Sequence, residues 1–308
     1  MLTGASSGIG HAAALAFTRC GADLVLAARG RSGLDAVAAE CRRLGAQALV
    51  VPTDVADGPA MQALAEAAID HFGGFDVWVN NVGVGVVGLF HQVPIEAHRR
   101  VVEANLIGHM NGAHAALTHF WGRRRGTLII IVSVAGLASA PYSAAYVATK
   151  FGLRGFAESL RAEVSGLRGV HVCDLYPTFV DTPAMAHAAN YTGRKIAPPP
   201  PVLDPRAVAA AVVSLADRPR ASMTVGSIAL PARIAHAVAP RLVGRVLKAL
   251  IGMSLARADA APVTEGNLYT PSVGTGIDGW HRNAGLRMVA GAAAVTLALG
   301  WLARRMSR

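Results

Sequence analysis

A glycine-rich turn, TGASSGIG at residues 3–10, begins almost where the chain begins, and the pattern behind it constrains the fold more than any other feature. Short apolar runs without alternation recur at 23–28 (DLVLAA), 48–52 (ALVVP), 77–80 (VWVN), 127–133 (TLIIIVS) and 170–176 (VHVCDLY). Such runs suit strands buried on both faces, as in a parallel sheet. Between them lie alanine-rich stretches such as HAAALAFTRCG and GPAMQALAEAAIDHFGG, with apolar residues at helical spacing and glycine at the end. This alternation predicts a doubly wound α/β sheet over residues 1–230.

In such a sheet the turn has a mechanism. Gly4, Gly8 and Gly10 let the backbone turn tightly, approach a pyrophosphate and pack the following helix closely. Ser6, Ser7 and Ile9 belong to the same cofactor-binding turn, and the helix N-terminus offers free N–H groups to the phosphates. About twenty residues on, a carboxylate would bind the ribose hydroxyl of NAD and an arginine the 2′-phosphate of NADP. Here Ala28-Arg29-Gly30-Arg31 holds no carboxylate, so Arg29 predicts NADP(H) over NAD(H). The competing reading is a solvated arginine at a strand end.

Tyr146 and Lys150 stand at i and i+4, on one face of a helix. A tyrosine with a pKa of about 10 is a poor acid–base catalyst at neutral pH, and an ammonium one turn away favours its ionised form. Ser133 ends the run 127–133, where its hydroxyl could bond a substrate carbonyl.

With these motifs the chain resembles the short-chain dehydrogenase/reductase family over residues 1–230, with its Rossmann-like sheet. TGASSGIG is similar to the family's cofactor turn, Asn80-Asn81-Val82-Gly83 to its NNAG element, and YVATK to its YxxxK motif. Asp54 and Val55 fall where the family contacts adenine, Asn105 where an asparagine supports a proton relay, and Pro177 to Thr182 where a segment closes over the nicotinamide. Val82 and Thr178 depart from the commoner alanine and glycine, and neither is a reacting group. The resemblance implies hydride transfer between NADP(H) and an alcohol or carbonyl, with Tyr146 as acid and base. It also implies that Ser133 positions the substrate oxygen, Lys150 holds the nicotinamide ribose and lowers the Tyr146 pKa, Asn105 orders a water, and Thr182 contacts the carboxamide. Asn81 and Gly83 would line the cofactor, and a homo-oligomer is implied. Two other functions use the same sequence: a non-catalytic cofactor-binding or membrane scaffold, and a carrier-linked 3-oxoacyl reductase.

Composition narrows the partners. Of 308 residues 53% are hydrophobic and 16% charged, with a net charge of +10. The arginines are scattered without a basic, aromatic-interleaved helix, which argues against nucleic acid and leaves a polyanionic cofactor or an anionic membrane. Cys20, Cys41 and Cys173 lack metal or redox spacing, and no metal is expected. The stretches 137–144 (LASAPYSA) and 179–201 would form the pocket wall and lid. They offer Tyr142, Phe179, Met185 and Tyr191 but few charges, which predicts a hydrophobic substrate.

Beyond the stiff connector APPPPVLDP, the sequence predicts a helix at 206–216 and a short strand around 224–230. An extension at 231–283 holds a basic amphipathic helix at 234–257, broken near Pro240, and a loop at 262–279. A third segment, 284–308, contains sixteen mostly apolar residues at 288–303, read as a membrane-associating helix although shorter than the roughly twenty residues of a usual span. The chain is therefore expected in the cytoplasm, attached to a membrane through this end. Its first segment is the turn itself rather than a signal peptide. Three residues ahead of the turn reach about 10 Å, short of a typical strand, so the first strand reads as truncated and the native start is expected several residues earlier.

Overall fold

The computed structural model describes residues 1–272 and 276–279. The apolar helix expected within 284–308 lies outside the described residues. The chain alternates as predicted: β1 (Leu2–Thr3), α1 (Gly8–Arg19), β2 (Leu24–Ala28), α2 (Arg31–Arg43), β3 (Ala48–Pro52), α3 (Gly58–Phe72) and β4 (Val77–Asn80). A short β5 (Val86–Val87) precedes α4 (Ile95–Val102), a π-helical turn (Glu103–Ile107) and α5 (Gly108–Arg123). Then come β6 (Gly126–Ile131), α6 (Ala144–Glu163), β7 (Val170–Pro177), α7 (Ala184–His187), β8 (Ala189–Asn190), α8 (Pro205–Asp217) and β9 (Ser222–Val225). Two helices follow, α9 (Ala229–Val238) and α10 (Pro240–Arg257).

Seven strands form one sheet in the order β3-β2-β1-β4-β6-β7-β9, every pair parallel. Alternate residues of each strand feed two cores: Val25 and Ala27 pack on the side of α3, α5 and α6, while Leu24 and Leu26 pack on the side of α1, α2 and α8. Burial on both faces explains the unbroken apolar runs.

The first strand has two residues yet sits in the middle of the sheet. Leu2 pairs with Leu26 on one side and Val79 on the other, and Thr3 Oγ1 donates to Val79 O at 3.1 Å. The Met1 ammonium donates to Val77 O, and burial lowers its pKa to about 5. The strand expected at 224–230 needs correction. β9 ends at Val225, Gly226 turns the chain at φ +110°, and α9 has begun by Ala229. The expected break at Pro240 is present, between α9 and α10. The sequence pattern did not predict the small parallel pair β5–β8.

Candidate active site

The strand order reverses between β1 and β4, and ligands of open α/β sheets bind in the crevice beyond the carboxyl ends of strands at such a switch. The glycine turn leaves β1 there, and the Asn80–Gly83 stretch leaves β4. Gly4 and Gly8 take φ of +63° and +55°, a region that disfavours side chains. A Cβ on Gly10 would stand 2.0 Å from Gly4 O, so only glycine lets α1 approach the turn this closely. Asn81 ties the two crossing segments together: its Nδ2 donates to Thr3 O and Gly4 O, both at 3.2 Å, and its N–H donates to Thr3 Oγ1. Ser7 caps α1 without a side-chain bond, and α1 has no acidic residue in its first turn. The helix dipole there is therefore not offset by a carboxylate of its own first turn, and the Gly8 N–H donates to Gly276 O at 3.0 Å. Thr182, five residues beyond Pro177, lies against the turn, with its Cβ 3.0 Å from where a Gly8 Cβ would be.

Ser133, Tyr146 and Lys150 converge at the adjoining edge. Ser133 follows β6 at φ +123° and ψ 158°, and its Oγ accepts from Ala135 N at 3.2 Å. The half-buried Tyr146 phenol is hydrogen-bonded with Ser133. Burial pushes its pKa up, and that bond pulls in the opposite direction. Lys150 is 3% exposed, with Nζ 5.5 Å from the centre of the Tyr146 ring and 3.2 Å from Ile131 O. Burial lowers its pKa to about 7. The exposed Gly83 lies opposite: a Cβ there would be 4.0 Å from Nζ. Asn105 is wholly buried in the π-helical turn, its side chain clamped to Val84 by bonds to N–H (2.8 Å) and C=O (2.9 Å).

The acidic and basic candidates pair differently from the sequence reading. Asp54 accepts from Ala56 N and from Arg100, a residue the sequence did not single out. Burial raises the Asp54 pKa, but the Ala56 N–H and Arg100 outweigh it and hold the carboxyl below its usual value. Val55 is buried against Gly108. Arg29 lies at the end of β2, where its guanidinium bonds the carbonyls of Asn267, Leu268 and Thr270. Neither residue pair shares a motif, so sequence spacing gave no signal for them. His109, also missed, donates from Nε2 to Val82 O. Burial, and then the Lys150 charge, lower its pKa to about 3. It is four residues past Asn105, on the same face, and that spacing is the one clue the sequence offers.

An open cleft of about 470 Å³ is lined by Ser139, Ala140, Pro141, Ala144, Val147, Ala148, Phe151 and Gly244. Its α6 residues, 144, 147, 148 and 151, form a different face from 146 and 150, so it is not the space in front of Tyr146. Around the Tyr146 ring the surroundings are apolar, with Val84, Ala104, Ala145, Ala189 and Leu268 in one cluster.

The sheet, its switch point and the serine–tyrosine–lysine edge define a nucleotide-binding α/β protein of the oxidoreductase class. The short chain dehydrogenase family model matches residues 1–192, and the chain belongs to that family. An uncharacterized oxidoreductase, YxnA, of Bacillus subtilis is 33% identical over 322 aligned positions, covering 100% of this chain and 90% of that protein. The mouse dehydrogenase/reductase SDR family member 7 is 32% identical over 61% of this chain and 56% of its own length. The 1-deoxy-11-beta-hydroxypentalenate dehydrogenase of Streptomyces exfoliatus is 40% identical over 59% of this chain and 67% of that protein. Among solved structures, the alcohol dehydrogenase of Thermococcus sibiricus complexed with 5-hydroxy-NADP aligns with a TM-score of 0.65. It is 26% identical and covers 74% of this chain and 95% of that one.

Proposed function

We propose that this chain is an NADP(H)-dependent oxidoreductase acting on a hydrophobic alcohol or carbonyl compound. The observation that carries the reading is the meeting of Ser133, Tyr146 and Lys150 beside a glycine-rich turn at the sheet's switch point. The residues fit a dinucleotide: Gly4, Gly8 and Gly10 leave a backbone cradle, and α1 begins there with no acidic residue in its first turn. Ser6, Ser7 and Ile9 would complete the phosphate site, and Arg29 would meet the 2′-phosphate. Asp54 and Val55 would border the adenine; Asn81, Gly83, Pro177 and Thr182 would border the nicotinamide half. Bound NADP(H) supplies or accepts the hydride. The alcohol dehydrogenase of Thermococcus sibiricus, complexed with 5-hydroxy-NADP, is consistent with this choice.

The chain's own residues handle the proton. Tyr146 Oη gives a proton to the substrate oxygen in reduction and removes it in oxidation. Ser133 Oγ holds that oxygen, and its bond to the phenol offsets part of the burial that opposes ionisation. A protonated Lys150 near the ring favours the phenolate. Asn105 holds Val84 with its side chain, so a water it orders is held by its main chain. The apolar cluster around Tyr146 supports a lipophilic substrate.

Tyr146→Phe should reduce NADPH oxidation by at least about 10²-fold over a panel of aldehydes, ketones and steroids while sparing NADPH binding; wild-type rates in that variant would remove the assignment. Arg29→Asp should move cofactor preference toward NAD(H), read as the ratio of NADPH to NADH affinities, and an unchanged ratio would count against Arg29. The reading extends to a cytoplasmic homo-oligomer attached to an anionic membrane surface, supported by five cationic residues and no acidic one on α9 and α10.

A further inference from the structure

Two described pieces of the chain's distal part, 267–272 and 276–279, sit at the two ends of the proposed cofactor track. At one end, Arg29 Nη1 donates to Leu268 O at 3.0 Å, and Nη2 donates to Asn267 O and, at 3.2 Å, to Thr270 O. Pro271 stands over Gly30, where a Cβ would be 3.1 Å from the proline Cβ. At the other end, the first N–H of α1, on Gly8, donates to Gly276 O at 3.0 Å. Gly279 N donates to Asp181 O at 3.0 Å, and a Cβ on Gly279 would come within 2.4 Å of Thr182 O. Arg206 grips Asp278 with two parallel bonds of 2.9 and 3.0 Å. Leu268 is fully buried in the apolar cluster near Tyr146, which fixes the segment at that point.

We propose that the pieces 269–272 and 276–279 act as an autoinhibitory strap, hinged at Leu268, whose Thr270 and Gly276 carbonyls must release Arg29 Nη2 and the Gly8 N–H before a nicotinamide dinucleotide phosphate can bind. The inference rests on reading Arg29 and the glycine turn as the cofactor site. Its logic is competition for donors. The Gly8 N–H and the outer edge of the Arg29 guanidinium are the groups a pyrophosphate and a 2′-phosphate would engage, and here neutral backbone carbonyls engage them. A segment that merely covered a bound cofactor would hold to the rim and leave these donors free. Phosphate oxygens form stronger, charge-assisted bonds to the same donors, so the dinucleotide displaces the strap at sufficient concentration. Apparent affinity is reduced by the fraction of molecules with the strap down. Leu268 O and Asn267 O can stay on Arg29 throughout, because only the chain beyond Leu268 moves and Thr270 O alone leaves Nη2.

A reversible lock tests this in the full chain. In a Cys20→Ser background, the pair Gly30→Cys and Pro271→Cys places two thiols where the built Cβ and Pro271 Cβ stand 3.1 Å apart, near the usual span of a disulfide. Oxidation should weaken NADPH binding by about tenfold or more, and reduction should restore it. Asp278→Ala, which frees the Arg206 grip, should tighten NADPH binding about threefold. In the unmodified protein, adding NADPH should speed hydrogen exchange at the Gly279 amide, which donates to Asp181 O while the strap is down. Equal NADPH affinity in the oxidised and reduced forms overturns the strap while leaving the cofactor reading standing, and so does slower exchange at the Gly279 amide. If the wild-type chain, the reduced variant and Asp278→Ala all bind neither NADPH nor NADH, the cofactor reading falls and the strap with it.

Discussion

Ser133 is held at φ +123° and ψ 158°, a combination that side-chain-bearing residues rarely adopt and that costs about 1–3 kcal/mol. The geometry places its Oγ beside the Tyr146 phenol at the end of β6, so local strain and function meet in one residue. Ser133→Gly should therefore raise unfolding free energy by about 1 kcal/mol while lowering turnover at least tenfold. Urea titration and a steady-state assay read the two effects separately, and loss of both stability and activity would contradict the strain argument. Lys150 makes a second trade. Its ammonium is buried against Ile131 O, and its pKa falls from 10.5 to about 7 on folding. Between those values the unfolded chain holds more protons than the folded one, so stability rises with pH through that window and the penalty is full below about pH 7. Lys150→Met should abolish turnover yet stabilise the fold by a few kcal/mol at pH 6, with the gain fading toward pH 10. A gain independent of pH would show that the buried charge is not its source.

At the scale of elements, what was legible followed from burial on two faces. The runs 48–52 and 77–80 became β3 and β4 without a shift: β4 is a central strand packed on both faces, and β3 is a partly buried edge strand. The glycine turn was legible for a related reason: backbone conformations and approaches that exclude a Cβ leave a mark in the sequence, as the 2.0 Å separation at Gly10 shows. The serine, tyrosine and lysine were found by spacing, since 146 and 150 share a helix face and Ser133 ends a strand. Contacts made by backbone carbonyls left no such mark. Nothing in GNLYTPSVGTGIDG distinguishes a loop in solvent from one whose carbonyls bond Arg29 and Gly8. Arg100 was invisible because its partners, Asp54 and Leu268 O, lie 46 and 168 residues away. The misplaced ninth strand has a local cause, since Thr224–Leu230 reads as apolar while Gly226 ends the pairing.

The whole molecule carries an asymmetry that neither the sheet nor the site requires. Among the described residues no helix is long and apolar enough to cross a membrane. Yet α9 and α10 expose Leu230, Ile234, Val238, Leu250 and Met253, with Val238 at 76%. Arg233, Arg241, Arg245, Lys248 and Arg257 accompany them, with no acidic residue across both helices. On the proposed membrane attachment, these apolar side chains would enter the headgroup boundary and the cations beside them would meet anionic lipid. Each cation near such a surface contributes about 1 kcal/mol. The triple variant Arg241→Glu, Arg245→Glu, Lys248→Glu should therefore lose at least about 10²-fold in affinity for phosphatidylcholine vesicles containing phosphatidylserine, measured by cosedimentation of the full chain. Raising the salt to 1 M should weaken wild-type binding in the same direction, because the screening length then falls to about 3 Å. Oxidoreductase activity on a soluble carbonyl should be unchanged in the variant, since Ser133, Tyr146 and Lys150 stand on α6 and the turn after β6 while the three substituted side chains are on α10. Vesicle binding that survives both the charge reversal and the salt would place attachment elsewhere in the chain and leave α9 and α10 as a cover for the α6 face, where Phe151 already meets His236 with ring centres 5.9 Å apart.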